Sequence, residues 1–410
     1  MGKFYLKFVQ PGYRPKNSEL VASFYLEAKI DFKEAAGGVA SESSIGTWTE
    51  VGTLKEENLR KLAAHAFNLN VKKKTFQVAY PLALMEKGSI PQFFSGIAGN
   101  VFSMKIIRNL RLFDITFPKE YVNSFQGPAF GIEGIRKIMN IRNRPLLGCI
   151  AKPKLGLSAK EHAQLAYQVF SGGVDVLKDD ENLTDLTSDH FEKRARATIH
   201  LAKKAEKETG EKKMCVLNVT APPPEMMKRA RLVKRLGGKA VMVDIVSVGL
   251  DNVQMLRSAK LGLIIHGHRA GHSMFTKNPK HGMSMLVLAK LSRLAGVDQL
   301  HTGTVIGKME GEQKEVLEID QFLRNKWYQM KSTMPIASGG LHPGMMPKLY
   351  KIFGKDIILN FGGGIHGHPA GSLAGAKAAR QALEAVLKRK SLKNYAKNHL
   401  ELFQAMEHWK

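Results

Sequence analysis

From residue 146 onward, hydrophobic and polar positions follow a repeating pattern. A short apolar, β-rich run ends in polar residues or glycine, and a segment with helical spacing follows it, eight times over. The predicted strands are Leu146–Ala151, Val174–Lys178, Met214–Thr220, Ala240–Ile245, Leu261–His266, Gln299–Thr302, Met334–Ser338 and Ile357–Phe361. The repeat predicts an α/β protein with a (β/α)8 TIM barrel. A doubly wound open sheet is the alternative, although no G-x-G-x-x-G motif follows the first strand.

The first 126 residues lack this repeat. Strands are predicted over Tyr5–Phe8, Leu20–Ile30, Thr47–Val51 and Thr75–Ala79, and helices over Glu57–Phe67 and Ile90–Asn100. Gly127-Pro128 then interrupts the pattern, as expected at a boundary. We therefore predict a smaller N-terminal α+β domain, residues 1–126, and a C-terminal barrel domain, residues 127–410, with a short helical tail.

Composition excludes several classes of protein. An apolar fraction of 44% over 410 residues is ordinary for a globular chain. The two cysteines, Cys149 and Cys215, lie in apolar runs, so we expect no disulfide and a reducing, cytoplasmic location. No apolar stretch of 18 residues and no signal-peptide segment occurs, so we expect no membrane association.

The formal net charge of +26 raises the possibility of nucleic-acid binding. The lysines are spread along the chain, and runs such as Lys72–Lys74 are short and lack interleaved aromatic residues. We therefore expect no nucleic-acid partner. A basic surface of this kind can also steer an anionic substrate toward its site.

The segment Gly172–Glu181, GGVDVLKDDE, holds the most informative polar residues. Because side chains alternate along a strand, Lys178 and Asp180 face one way and Asp179 the other. Asp180, Glu181 and the lysine would then converge at a strand end, where oxygen ligands suit Mg²⁺. An isolated KDDE motif is more often a solvated acidic loop, but the other strand ends also carry charged residues.

Those strand ends should all lie at one mouth of the barrel. Gly340, Gly362 and Gly363 occur in glycine-rich turns that suit a phosphate, although each alone is more often a tight turn. Arg269 could bind a second phosphate with His301 and Ser338. Histidines 266 and 268 also have a zinc-ligand spacing, but the neighbouring lysines and carboxylates favour a hard metal and an anionic substrate.

Four lysines would crowd this mouth: Lys152, Lys154, Lys178 and Lys308. Crowding lowers the pKa of a lysine and makes a neutral amine available. Such an amine can form a Schiff base, exchange protons, or react with CO₂ to give a carbamate. For Lys178, the adjacent Asp180 and Glu181 favour the carbamate, because it would complete an anionic oxygen shell for Mg²⁺.

With these motifs in order, the chain resembles the large-subunit family of ribulose-1,5-bisphosphate carboxylase/oxygenase (RuBisCO) over nearly its whole length. Length and motif detail resemble the archaeal-type form III enzymes more than the plant form. The motifs are ASESSIGTWT (40–49), GNVF (99–102), KPKLGL (152–157), GGVDVLKDDEN (172–182), HGHRAGH (266–272), HTGTVIGKMEG (301–311), SGGLH (338–342) and FGGGIHGHP (361–369).

The resemblance implies Mg²⁺- and CO₂-dependent carboxylation, and oxygenation, of ribulose 1,5-bisphosphate through an enediolate, giving two 3-phosphoglycerate. It implies that carbamylated Lys178 is the base and, with Asp180 and Glu181, holds Mg²⁺. Other implied catalytic residues are Lys152, His268 and Lys308. The implied substrate-binding residues are Glu42, Thr47, Trp48, Asn100, Lys154, Arg269, His301, Ser338, Gly340, Gly362 and Gly363.

In the family the N-terminal residues of a site come from a neighbouring subunit, so the resemblance implies a homodimer or a ring of dimers. It further implies no small subunit and a role in nucleotide salvage. Two other functions stay open. One is that of RuBisCO-like proteins, which perform enolase or isomerase chemistry on a related phosphorylated sugar without fixing CO₂. The other is a non-catalytic basic binding protein, whose nucleic-acid affinity would fall steeply with salt.

Overall fold

The computed structural model describes residues 2–47, 49, 51–306 and 313–409. The strands are β1 (Leu20–Ala28), β2 (His65–Asn70), β3 (Thr75–Tyr80), β4 (Ile107–Thr116), β5 (Leu146–Ile150), β6 (Val176–Lys178), β7 (Met214–Asn218), β8 (Ala240–Asp244), β9 (Ile264–His268), β10 (Gly282–Met283), β11 (Gln299–His301), β12 (Met334–Ser338) and β13 (Ile358–Phe361).

The α-helices are α1 (Gly2–Tyr5), α2 (Phe32–Glu42), α3 (Glu56–Leu62), α4 (Ile90–Ile97), α5 (Lys119–Asn123), α6 (Gly131–Met139), α7 (Ala159–Ser171), α8 (Phe191–Thr209), α9 (Pro223–Arg235), α10 (Ile245–Val248), α11 (Leu250–Ser258), α12 (Ser273–Thr276), α13 (Met285–Ala295), α14 (Gln313–Arg324), α15 (Met346–Phe353), α16 (Gly363–His366), α17 (Gly371–Leu387), α18 (Leu392–Ala396) and α19 (Leu400–His408). Short 3-10 helices lie at Leu6–Phe8, Leu82–Leu84, Asn100–Ser103 and Pro343–Met345.

The contacts divide the chain into two compact units. The first contains residues 1–126, 271–295 and 328–330, and the second contains residues 127–270, 296–327 and 331–410. This is a division by packing, and the predicted domains, 1–126 and 127–410, stay a prediction. No helix among the described residues is long and apolar enough to cross a membrane.

The second unit contains a closed barrel, which confirms the predicted fold class. Its strands follow the order β11-β12-β13-β5-β6-β7-β8-β9, and each neighbouring pair is parallel. The barrel core is filled by aliphatic side chains from these strands, among them Leu146, Val216 and Ile336, together with Ile135 of α6. Each such residue contributes about 1.5–3 kcal/mol when fully buried.

The first unit contains a five-stranded sheet in the order β10-β4-β1-β3-β2. Strand β1 pairs antiparallel with both β3 and β4, and β10 adds a short parallel edge. The N-terminal sheet of the predicted fold class is therefore confirmed, although several predicted elements differ.

The strand predicted over Tyr5–Phe8 is wrong, because the chain there is helical. Phe4, Tyr5 and Phe8 are buried, and the Phe4 and Phe8 rings pack 5.7 Å apart. Positions i and i+4 share one face of a helix, so the four-residue spacing of Phe4 and Phe8 indicates a helix and not a strand.

The helix predicted over Glu57–Phe67 is also wrong in its second half. Helix α3 ends at Leu62, and β2 pairs antiparallel with β3. Strand pairing therefore overrides the local preference of the alanines at 63, 64 and 66. Of the stretch predicted as a strand over Thr47–Val51, the described residues 47, 49 and 51 are not in a strand.

Candidate active site

Lys178 lies at the C-terminal end of β6 and its side chain is only 1% exposed. Its Nζ donates to the backbone carbonyl of Asp179 at 2.8 Å and lies 3.5 Å from Glu181 Oε2. Burial lowers the pKa of Lys178, although Glu181, Asp180, Asp244 and Asp179 all act to raise it. The barrel thus holds a lysine whose neutral form is favoured relative to an exposed lysine.

Asp180 follows this strand end and contacts a second lysine, which lies in the loop after the neighbouring strand β5. Lys152 Nζ lies 2.5 Å from Asp180 Oδ2, and Asn182 donates to Oδ1 from its backbone and its side chain. Burial acts to raise the pKa of Asp180, but the hydrogen bonds from Lys152 and Asn182 outweigh it and lower the pKa. The carboxylate is therefore ionised at neutral pH.

Glu181 is the second carboxylate of the cluster. Burial acts to raise its pKa, but Lys178 and His268 outweigh this effect and the pKa is lowered. The Nε2 atom of His268 lies 3.6 Å from Glu181 Oε2. Two ionised carboxylates and a buried amine therefore lie together, as the sequence predicts.

The register between β8 and β9 places His268 opposite Asp244. Strand β9 extends to His268, two residues beyond its predicted end, and His268 pairs with Asp244 across β8 and β9. Its Nδ1 lies 2.9 Å from Asp244 Oδ1. Burial lowers the pKa of His268, whereas Asp244 acts to raise it. The contact fixes the plane of the imidazole ring.

Two further histidines form a buried chain across neighbouring strands. His266 Nδ1 lies 2.9 Å from Gln299 Oε1, His266 Nε2 lies 2.9 Å from His301 Nε2, and His301 Nδ1 lies 3.0 Å from Ser338 Oγ. Burial lowers the pKa of His266 to about 3 and that of His301 well below its usual value. Both nitrogens of His266 are engaged, which argues against the alternative of an HxH zinc site.

Arg269 lies beside the end of β11. A Cβ added at Gly303, whose φ is +96°, would lie 2.6 Å from Arg269 Nη2, so glycine permits this close approach. Burial lowers the pKa of Arg269 to about 10, while Glu315 and Asp320 act to raise it. The guanidinium remains charged at neutral pH and suits an anionic ligand.

The glycines at the ends of β12 and β13 leave backbone accessible. Gly340 has φ of +71°, in the region that favours glycine. A Cβ at Gly363 would meet nothing within 4 Å, and one at Gly362 would lie 3.8 Å from Lys152 Cε. The Cβ positions of Gly362 and Gly363 are therefore uncrowded, and Gly362 borders Lys152.

The contacts described above do not include the remaining predicted residues. Lys154 is exposed in the loop after β5. Glu42 ends α2, Thr47 follows it, and Asn100 begins a 3-10 helix, all in the first unit. Trp48 and Lys308 lie outside the described residues. The His268 and His301 rings lie 4.7 Å apart. The structure thus brings together, through successive contacts, Lys152, Lys178, Asp180, Glu181, His268, His301 and Ser338.

Sequence reasoning missed Asn218 at the end of β7. Its Nδ2 donates to the backbone carbonyls of Glu181 and Asp180 at 3.0 and 3.4 Å. Asp179 points away from the cluster and accepts from Arg194 and from the backbone of Asn218. Alternation along the strand predicted this direction, whereas an uncharged Asn218 gave no comparable signal.

The carboxylates of Asp180 and Glu181 fit a hard cation only if Lys178 supplies a third oxygen donor. Among the residues that the structure describes, no group of three or more His, Cys, Asp or Glu side chains is arranged to hold a metal. Asp180 and Glu181 supply two carboxylates, and a carbamate on the buried Lys178 would supply a third anionic donor. Three oxygen donors of this kind suit Mg²⁺.

Barrel enzymes carry their reactive residues on the C-terminal ends of the strands, and the cluster lies at that end. By fold and site, the chain is a (β/α)8-barrel enzyme with an additional N-terminal sheet. It belongs to the ribulose bisphosphate carboxylase large-chain family. The model of the family's catalytic domain matches residues 131–409, and that of its N-terminal domain matches residues 7–121.

Archaeal relatives match the chain over almost all of its length. The ribulose bisphosphate carboxylase of Methanosarcina mazei is 52% identical, covering 98% of each chain. The octameric Rubisco of Pyrococcus horikoshii, solved with sulfate, is 46% identical with a TM-score of 0.95, covering 98% of this chain and 96% of that one. The dimeric archaeal Rubisco of Hyperthermus butylicus is 43% identical with a TM-score of 0.94, covering 99% of each.

Proposed function

We propose that the chain carboxylates ribulose 1,5-bisphosphate to two 3-phosphoglycerate through an enediolate, and oxygenates it in a side reaction. The observation that carries the proposal is the buried Lys178, whose lowered pKa favours a neutral amine next to Asp180 and Glu181. Membership of the carboxylase family supports it.

In this mechanism Lys178 reacts first with CO₂. Its neutral amine forms an N–C bond to CO₂ and releases one proton, which gives a carbamate. With Asp180 and Glu181 it would hold Mg²⁺, which when bound supplies positive charge to nearby substrate oxygens. Lys178, through its carbamate, then takes the proton from C3 of the sugar.

The other residues orient substrate and move protons. Lys152, whose ammonium is already bound to Asp180, transfers a proton at C2, and Lys154 supports the metal-binding carboxylates. His268, held by Asp244, contacts the C3 hydroxyl and assists hydration. Asn100 would lie near Mg²⁺ and CO₂. Lys308 would pair with Glu42 as its loop closes and excludes water. These roles follow from the family resemblance.

The two phosphates would bind to two different sets of residues at the mouth. Arg269, His301 and Ser338 take one, and a buried, charged guanidinium is well suited to it. Thr47, Trp48, Gly340, Gly362 and Gly363 take the other. We further propose a cytoplasmic homodimer, or a ring of dimers, without a small subunit and working in nucleotide salvage. The dimeric and octameric relatives support this assembly.

The direct test is fixation of radiolabelled CO₂. The purified protein is incubated with bicarbonate and Mg²⁺, ribulose 1,5-bisphosphate is added, and labelled 3-phosphoglycerate is measured. The proposal expects product only when all three are present. Proton exchange on a related sugar without CO₂ fixation would instead support the enolase or isomerase alternative.

We expect Lys308→Ala to lower the rate of carboxylation by about 10²-fold or more and to leave the rate of enolisation nearly unchanged, because this lysine acts after the C3 proton has left. Exchange of tritium at C3 measures enolisation, and labelled product measures carboxylation. Lys314→Ala, an exposed lysine on α14, is the matched control. Equal loss of both reactions, or full carboxylation, would contradict the role given to Lys308.

We expect activation by CO₂ and Mg²⁺ to increase as the pH of the pre-incubation rises. The neutral amine reacts and the ammonium does not, and burial places the pKa of Lys178 below the ordinary value of 10.5. The amine is therefore mainly protonated below this lowered pKa and reactive above it. Pre-incubation at several pH values, followed by assay at one fixed pH, measures the effect. Activation that falls with rising pH would contradict it.

A further inference from the structure

A buried ion pair lies directly behind the lysine–carboxylate cluster. Asp179, between Lys178 and Asp180, is 1% exposed and faces away from both. Its Oδ2 accepts from Arg194 Nε at 3.2 Å and from the backbone N–H of Asn218 at 2.9 Å. Its Oδ1 lies 3.2 Å from His162 Nε2. The backbone that carries Asp180 is therefore tied to β7 and to α8.

Arg194 holds the whole segment that follows β6. It is fully buried on α8, with Nη2 donating to the carbonyl of Thr184 at 2.6 Å and Nη1 to that of Asp189 at 3.1 Å. One planar guanidinium thus bonds three points between residues 179 and 189. A lysine at this position could not satisfy all three.

Asn218 holds the same segment from the other side. Besides its bonds to the carbonyls of Asp180 and Glu181, its Oδ1 accepts from the backbone N–H of Thr220 at 3.0 Å. The amide is fully buried. Its orientation is therefore fixed by three bonds, two of which fall on the residues that carry the two carboxylates.

We propose that Arg194, acting through Asp179, and Asn218 are positioning residues that aim the carboxylates of Asp180 and Glu181 at one divalent cation. The inference rests on the metal site of the proposed function. Two adjacent carboxylates repel each other, so without an external constraint they would turn apart. Replacing a group that orients metal ligands in this way commonly lowers the affinity for the metal by about 10- to 100-fold.

The test measures binding of Mn²⁺, a paramagnetic probe, by electron paramagnetic resonance in the presence of bicarbonate. We expect Arg194→Lys and Asn218→Ser each to raise the Kd for Mn²⁺ by about tenfold or more. Arg196→Lys is the matched control, because Arg196 lies on the same helix but is exposed and, within the described part of the chain, pairs with Glu192. Its Kd should stay within about twofold of the original.

Thermal unfolding of the metal-free variants separates positioning from a purely structural role. A lowered melting temperature with an unchanged Kd would overturn the inference, and a raised Kd in a folded variant would support it. If Arg194→Lys does not fold, the smaller change Asn218→Ser decides. Asp180→Asn must abolish Mn²⁺ binding, and if it does not, the inference is overturned. If Mn²⁺ binds as expected but no CO₂ is fixed, the carboxylase proposal fails while the positioning inference is still decided by Kd.

Discussion

Lys178→Met is expected to abolish CO₂ fixation while leaving the protein as stable as before or more stable. The proton transfer alone accounts for about 10²–10⁴-fold in rate, and the carbamate donor to the metal is lost with it. Methionine fills nearly the same volume without a desolvated amine, and exchanging a buried ion for an apolar isostere is often neutral or stabilising. Labelled CO₂ fixation and thermal unfolding measure the two effects.

The matched control is Lys213→Met. Lys213 is also almost fully buried and bonds Glu211 and the carbonyl of Val174, but it precedes β7 at the opposite end of the strands. Its replacement should change stability and leave the rate per folded molecule unchanged. Substantial CO₂ fixation by Lys178→Met, or equal loss in both variants, would refute the role of Lys178.

The barrel could be predicted from the sequence because its strands are short apolar runs with polar ends. The predicted strand Met334–Ser338 agrees with β12 at both ends. The repeat alone predicts the barrel, because few topologies can accommodate eight successive β-then-α units. The N-terminal unit has no such repeat, and its strand pairs β1–β3 and β2–β3 depend on partners that are distant in the sequence or reached through a tight turn.

The candidate site was predictable where charge and alternation coincide. Lys178, Asp179 and Asp180 could be assigned to two faces because a strand has a period of two. Asn218 could not, because a neutral amide at a strand end is common, and its function depends on carbonyl groups of another strand's loop. Asp244 falls within the predicted strand Ala240–Ile245, but its pairing with His268 depends on the β8–β9 register.

After the loss of activity in Lys178→Met, the next largest expected change in activity is a recovery, which occurs when two inactive variants are combined in one dimer. If each site takes Glu42 from one subunit and Lys178 from the other, Glu42→Gln and Lys178→Ala are each inactive alone. In a mixed dimer, one site has both substitutions and the other has neither. Random association gives half mixed dimers, so co-expression should restore roughly a quarter of the original activity.

This recovery depends on the two residues lying on different subunits at each site. Glu42 is at the end of α2, in the first unit, whereas Lys178 is in the barrel unit. Lys152→Ala combined with Lys178→Ala is the control, because both residues belong to one barrel and every mixed site stays defective. Co-purification through two different affinity tags isolates the mixed dimer. An inactive mixed dimer of the Glu42 and Lys178 variants would show that the sites are not shared, whereas activity in the control would show exchange of segments or reversion.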